Sequence, residues 1–270
     1  MRAPSLRALG FVSAWGPGAQ ALPADARQAA AGRPVLSLER PERAGDRYRR
    51  ATRECLLGLT AVERMLEDAS ATRADIAGER TALIYVTAAA YGPSNLAFIE
   101  RGGSGIHFAY TAPAVVPAEV AIEFGVTGPY TILLGGAPAT LRAIAHAASL
   151  LQDGACDRAL VLALEVFEEC AALYARGRRL LGAPLVEAAG CLWLESGEGE
   201  LVLDRTRGGR VRMDATRRRL GESLSCEPLA GLALARERAT GRLELQGAWR
   251  GERLRLTWTE ARPTSPARVA

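Results

Sequence analysis

The apolar positions of the chain change period several times, and each change predicts an element. Residues 6–13 alternate weakly and run into Trp15-Gly16-Pro17-Gly18, a strand followed by a turn. Residues 21–47 are polar and rich in Ala, Arg and Pro, which suits a short helix and an irregular connection. Ala51, Cys55, Leu56, Leu59, Val62, Met65 and Leu66 then share one helical face, with the helix ending at 68–70. Residues 81–87 form an unbroken apolar run, as a buried strand requires, and Val116, Val120, Ala121 and Phe124 define a further helix closed by Gly125. The segment 128–165 carries the sharpest pattern. Residues 130–134 read as a strand, Gly135 and Gly136 as a turn, and Pro138 sits where a first helical turn accepts it. Leu141, Ile144, Ala145, Ala148 and Leu151 recur at helical spacing, Gly154 ends the helix, and 159–164 is apolar throughout, like a strand covered on both faces. That is a βαβ unit. Beyond it, the pattern predicts a helix or helical loop over 168–181, a strand reaching Glu195, an arginine-rich connection, and a helix over 229–238. A hairpin follows in which Leu243 and Leu245 face Leu254, Leu256 and Trp258.

Composition excludes more than it selects. At 270 residues, 49% hydrophobic and 24% charged, the chain is ordinary for a globular protein with one sizeable core. No apolar run approaches the roughly 20 residues of a membrane-spanning helix, so no membrane span is expected. The N-terminal stretch reads as a first strand, against the alternative of a signal peptide, because Arg7, Gly10 and Ser13 interrupt its apolar patch. Five scattered cysteines without a Cys-x-x-Cys pair, and only two histidines (His107 and His146), predict reduced thiols in a cytoplasmic protein with no metal and no cofactor. The glycine-rich stretch 98–110 lacks the lysine of a phosphate-binding loop and reads as a surface excursion, with His107 a polar loop residue. All 34 basic residues are arginine. Seven of them fall in 204–219, which is either a solvated face or a docking surface for an acidic partner. Aromatic residues do not interleave with it, so no nucleic-acid partner is expected.

The segment Gly128-Pro129, strand, small-residue turn, buried helix with His146 and Gly154-x-x-Asp157 resembles the nucleophile segment of the β-ketoacyl synthases. Gly10, Ser13, Pro17 and Gly18 resemble the family's first strand and turn, and 187–195 resembles its Gly-Glu-Gly-Ala-Gly segment. In that last segment Val186 and Ala188 replace two glycines. The resemblance runs in element order to about Glu195. It implies an α/β, thiolase-like fold: the βαβαβαββ first half of a ketosynthase over residues 1–200. Residues 201–270 are then an appendage of arginine-rich connection, short helix and β-hairpin.

The same resemblance implies a missing catalyst. Ala137 occupies the nucleophile position, framed by Gly135, Gly136 and Pro138, and the appendage contains no histidine to match those of a second half. The expected role is a non-catalytic partner of an active ketosynthase, of the chain-length-factor type, in polyketide, aryl-polyene or fatty-acid-like biosynthesis. A lone first half would leave one sheet face bare and demand a partner. Pairing across a two-fold would use Tyr130, Thr131, Ile132, Leu133 and Leu134. Two alternatives stand beside it: a carrier-protein-binding module using the arginines at 176–179 or 205–219, and an enzyme whose nucleophile has moved to Cys170 or Cys191. A cysteine installed at 137, at a helix start, would be expected to react with alkylating agents.

Overall fold

The computed structural model describes residues 1–49, 51–103, 108–206, 215–236 and 242–259, with 178–181 described in backbone alone. His107, the arginines of 207–214 and the last residues of the chain lie outside the described residues. The strands are β1 (Arg2–Ser13), β2 (Gly16–Pro17), β3 (Val35–Leu36), β4 (Thr81–Thr87) and β5 (Tyr130–Leu134). They continue as β6 (Arg158–Glu165), β7 (Leu185–Val186), β8 (Ala188–Arg205), β9 (Arg242–Trp249) and β10 (Glu252–Thr259). The helices are α1 (Ala26–Ala29), α2 (Arg53–Ala69), α3 (Gly92–Glu100), α4 (Val115–Phe124), α5 (Ala137–Gln152), α6 (Ala171–Leu181), α7 (Ala215–Leu220) and α8 (Glu227–Arg236).

One mixed sheet organises them in the order β2-β1-β8-β6-β4-β5. β6, β4 and β5 are parallel to one another, while β8 is antiparallel to both β6 and β1. The interiors of strands β4 and β6, residues 82–86 and 159–164, are apolar because both of their faces are covered. Leu83, Tyr85, Leu160 and Leu162 pack toward Leu56, Leu59, Val62 and Met65 of α2 and Val120 and Phe124 of α4. Their alternates, Ala82, Ile84, Ala159 and Val161, pack toward Leu141, Ile144 and Ala148 of α5.

The expectation of a bare sheet face is overturned. α5 covers that face and is itself enclosed, in contact with β4, β6, β8 and β1 on one side and β9, β10 and α8 on the other. Its buried positions therefore run all round the helix, as an interior helix requires. The 201–270 region supplies the second cover. β10 hydrogen-bonds the far end of β8, pairing Leu256 with Leu203 and Trp258 with Leu201, and β9 pairs outside β10 with Leu245 opposite Leu256. Leu229 and Leu232 of α8 join the same core. The sequence-based division at residue 200 lies inside β8, which extends ten residues past Glu195 to Arg205.

Candidate functional site

β5 ends the sheet. It pairs with β4 alone, with Thr131 opposite Ile84 and Leu133 opposite Val86, and its other edge has no strand among the described residues. Tyr130 and Leu134, at the two ends of the strand, are 45% and 56% exposed, and Ile122 on α4 adds another exposed apolar side chain. Thr131 Oγ1 lies 3.3 Å from His146 Nε2 on α5, and the Tyr130 hydroxyl donates to the Ala114 carbonyl at 3.3 Å. An apolar edge with unmet backbone donors and acceptors is a template for another strand.

The turn that follows is closed. The Gly135 amide donates to the Thr87 carbonyl (2.9 Å), Gly136 caps α5, and Ala137 and Pro138 open the helix. Ala137 is 1% exposed. Gly247 of β9 lies against it so closely that a Cβ at 247 would stand 2.8 Å from the Ala137 carbonyl carbon and 3.1 Å from its Cβ. The indole of Trp249 covers Gly136 in the same way, since a Cβ there would meet ring atoms at 2.7 Å. The position of the expected nucleophile thus has neither a nucleophile nor solvent access. Burial opposes the helix-start effect, so the expected reactivity of a cysteine at 137 does not follow from this geometry.

Two fully buried glutamates, which sequence reasoning passed over, hold the closed side in place. Glu165 ends β6 and accepts from the amides of Ala88 (2.6 Å) and Ala89 (2.9 Å), the Ser225 hydroxyl (2.6 Å) and amide (3.3 Å), and Thr87 Oγ1 (3.4 Å). The Ser225 carbonyl in turn accepts from Thr140 Oγ1 of α5 at 2.6 Å. One carboxylate thus ties the turn after β4, the end of β6 and the 224–226 segment to the central helix. No cation among the described residues pairs with it, and burial pushes its pKa up to about 7 despite those donors. Glu187, just before β8, accepts from the amides of Leu38, Phe167 and Glu168 and from Arg53. Burial works against the Arg53 charge, but hydrogen bonds to Glu187 and Glu169 outweigh it and raise its pKa. The available signal was an acid joined to an uninterrupted apolar run, where it cannot reach water.

The cysteines offer no second site. All five are buried, and burial pushes the Cys55, Cys156, Cys170, Cys191 and Cys226 thiols above their ordinary pKa. Among the described residues no group of three or more His, Cys, Asp or Glu side chains could hold a metal, and no helix is long and apolar enough to cross a membrane.

Comparison with known proteins matches this architecture. A search of curated proteins finds no matching sequence. Among solved structures, the AntDE:AntF complex, a type II PKS acyl-carrier protein with its ketosynthase, superposes with a TM-score of 0.77 at 15% identity, covering 97% of this chain and 100% of that one. The ishigamide ketosynthase/chain length factor gives 0.75 at 15% identity, with 96% and 100% covered. The ketosynthase ApeO in complex with its chain length factor ApeC, from Xenorhabdus doucetiae, gives 0.64 at 13%, also with 96% and 100% covered. These likenesses establish the thiolase-like ketosynthase fold and extend it beyond Glu195, where the sequence resemblance stopped, into the hairpin. The family model for the β-ketoacyl synthase N-terminal domain matches residues 42–183, just over half of the sequence, and the chain belongs to the β-ketoacyl synthase family.

Proposed function

We propose that this chain is a non-catalytic, chain-length-factor-type subunit that pairs with an active ketosynthase in polyketide, aryl-polyene or fatty-acid-like biosynthesis. The observation that carries the reading is the juxtaposition of an open apolar edge strand, β5, with a helix start that bears Ala137 under Gly247 and Trp249. Two solved relatives of the same fold are ketosynthases with chain length factors, which supports this choice of partner. Pairing through Tyr130–Leu134 would satisfy the strand's free backbone groups and cover Tyr130 and Leu134. Reduced, buried cysteines fit a cytoplasmic setting. An acyl carrier protein is the second partner in this proposal, recruited by arginines. The buried thiols give no support to a relocated nucleophile.

The test is co-expression with a candidate active ketosynthase, followed by size-exclusion chromatography with light scattering. A 1:1 complex that elongates an acyl chain, where this chain alone does not, is the expected result. A chain that stays monomeric beside that ketosynthase, or that condenses acyl groups unaided, would overturn the reading.

A further inference from the structure

Residues 221–226, which join α7 to α8, are held in place by polar contacts around a strained backbone. The chain turns through left-handed backbone twice there, at Gly221 (φ 98°) and at Leu224 (φ 45°). Leu224 carries a side chain, so its conformation costs free energy that the surroundings must supply. The Val186 amide donates to the Glu222 carbonyl (2.9 Å), the Ser223 hydroxyl to the Val186 carbonyl, and Thr140 Oγ1 to the Ser225 carbonyl. The Ser225 amide and hydroxyl donate to Glu165, which is the one ionisable group among these anchoring partners. Glu165 is fully buried and pairs with no cation among the described residues, so its ionised form has donors but no counter-charge. A protonated carboxyl fits the same place. The Ser225 hydroxyl also lies 3.5 Å from the Val86 carbonyl, so it can turn to donate there while accepting from the Glu165 proton.

Neighbouring groups do not supply the missing charge. Tyr85 of β4, Tyr174 of α6 and Cys226 all sense Glu165, and burial raises the pKa of each, so the three stay neutral at neutral pH. Charged side chains of the packed elements have other partners: Arg142 of α5 pairs with Glu252, Glu227 of α8 with Arg217, and Glu187 before β8 with Arg53. We propose that Glu165 and Ser225 form a proton-operated latch, in which protonated Glu165 holds the 221–226 segment shut and its ionisation releases that segment, uncovering the first turn of α5 at Thr140. Release lets the carboxylate reach water and relieves the backbone at Leu224. The closed form binds its proton with a pKa of about 7, against an ordinary 4.5 once open. Closure is therefore strongest below about pH 4.5, and opening grows about tenfold per pH unit above that before levelling off past about pH 7. The movement is local and does not require a partner on β5.

The experiment labels the native chain with a pyridyl disulfide from about pH 5 to about pH 8 and follows each cysteine by mass spectrometry, dividing every rate by that of the unfolded chain at the same pH. Cys226 belongs to the segment, with Sγ 3.3 Å from the Ala188 carbonyl, whereas Cys55 and Cys191 lie in the core on the other face of the sheet. Normalised labelling of Cys226 is expected to rise at least about tenfold from about pH 5 to about pH 7 and then level off. At neutral pH it should exceed that of Cys191 at least about tenfold and respond little to low urea, as local opening does. Glu165→Gln should remove the rise. A pH-independent rate at Cys226, or a rise unchanged in Glu165→Gln, would overturn the proposal. So would labelling of Cys226 as slow and as urea-dependent as that of Cys191, because that marks opening of the whole fold. If Glu165→Gln does not fold, the comparison of Cys226 with Cys191 in the unaltered chain decides.

Discussion

Between Tyr130 and Pro138 the chain passes from an open strand to an enclosed helix start, and the two regions make different demands. Among the described residues β5 keeps one free backbone edge, and it leaves about half of Tyr130 and Leu134 in water. The turn at 135–138 is enclosed instead: the Gly135 amide is bonded to the Thr87 carbonyl, and the backbone of Gly247 and the ring of Trp249 lie on the residues that follow. The difference teaches that an open sheet edge and an enclosed helix start lie side by side in one βαβ unit. In the role proposed above, the strand would recruit a neighbour while the helix start supports it.

The comparison breaks most visibly at the strand. Leu133→Pro removes a backbone donor from β5 and is expected to abolish co-elution with the ketosynthase. Leu134→Asp, at an exposed position, should weaken the complex roughly tenfold or more without loss of the chain's own cooperative melt. The next effect concerns the carboxylate behind the closed side. Glu165 has a folded pKa of about 7 against an ordinary 4.5, so the fold binds a proton that the unfolded chain releases. Its contribution is fully present below about pH 4.5 and is lost as pH rises through about 7, by on the order of 3 kcal/mol. Denaturant titrations across that window should show the decline, and Glu165→Gln should flatten it.

A smaller loss is expected when the closed side is overfilled. Gly247→Ala forces a Cβ against the start of α5 and should cost about 1–3 kcal/mol, read as a lowered Tm. The smallest effect sharpens the contrast. Ala137→Cys should leave a thiol that a disulfide reagent reaches only as denaturant opens the fold, whereas a cysteine at Leu134 is labelled at once.

Much of this was legible in the residues. The βαβ unit from β5 to β6 followed from an apolar run, two glycines, helical spacing and a second apolar run, and the structure places each element within a residue or two of that reading. The start of the buried helix at Ala137, which the register of the turn implied, is where the structure begins that helix. What stayed hidden depends on contacts between distant segments. Gly197 and Gly199 look like loop residues, yet both sit within β8, where a Cβ would strike Ser5 backbone and the Thr259 carbonyl. They are glycines because neighbouring strands approach closely, which local pattern does not reveal. The cover over α5 was missed for the same reason. Leu229, Leu245, Leu256 and Trp258 are ordinary apolar residues until the hairpin is known to return to a helix about a hundred positions earlier.

That return has a consequence for how the protein comes into being. β8 needs β1, made at the outset, and β10, made near the end, to complete its ladders, with Arg2 and Thr259 both opposite Glu200. During synthesis the outer face of α5 and the far half of β8 must therefore wait, exposed, until the hairpin emerges. Pairings this distant in sequence form slowly and leave aggregation-prone surface in the meantime. A ribosome stalled before residue 242 would hold a chain with the whole βαβ unit already made and its central helix without the cover of β9 and β10, so the hairpin is what closes that face.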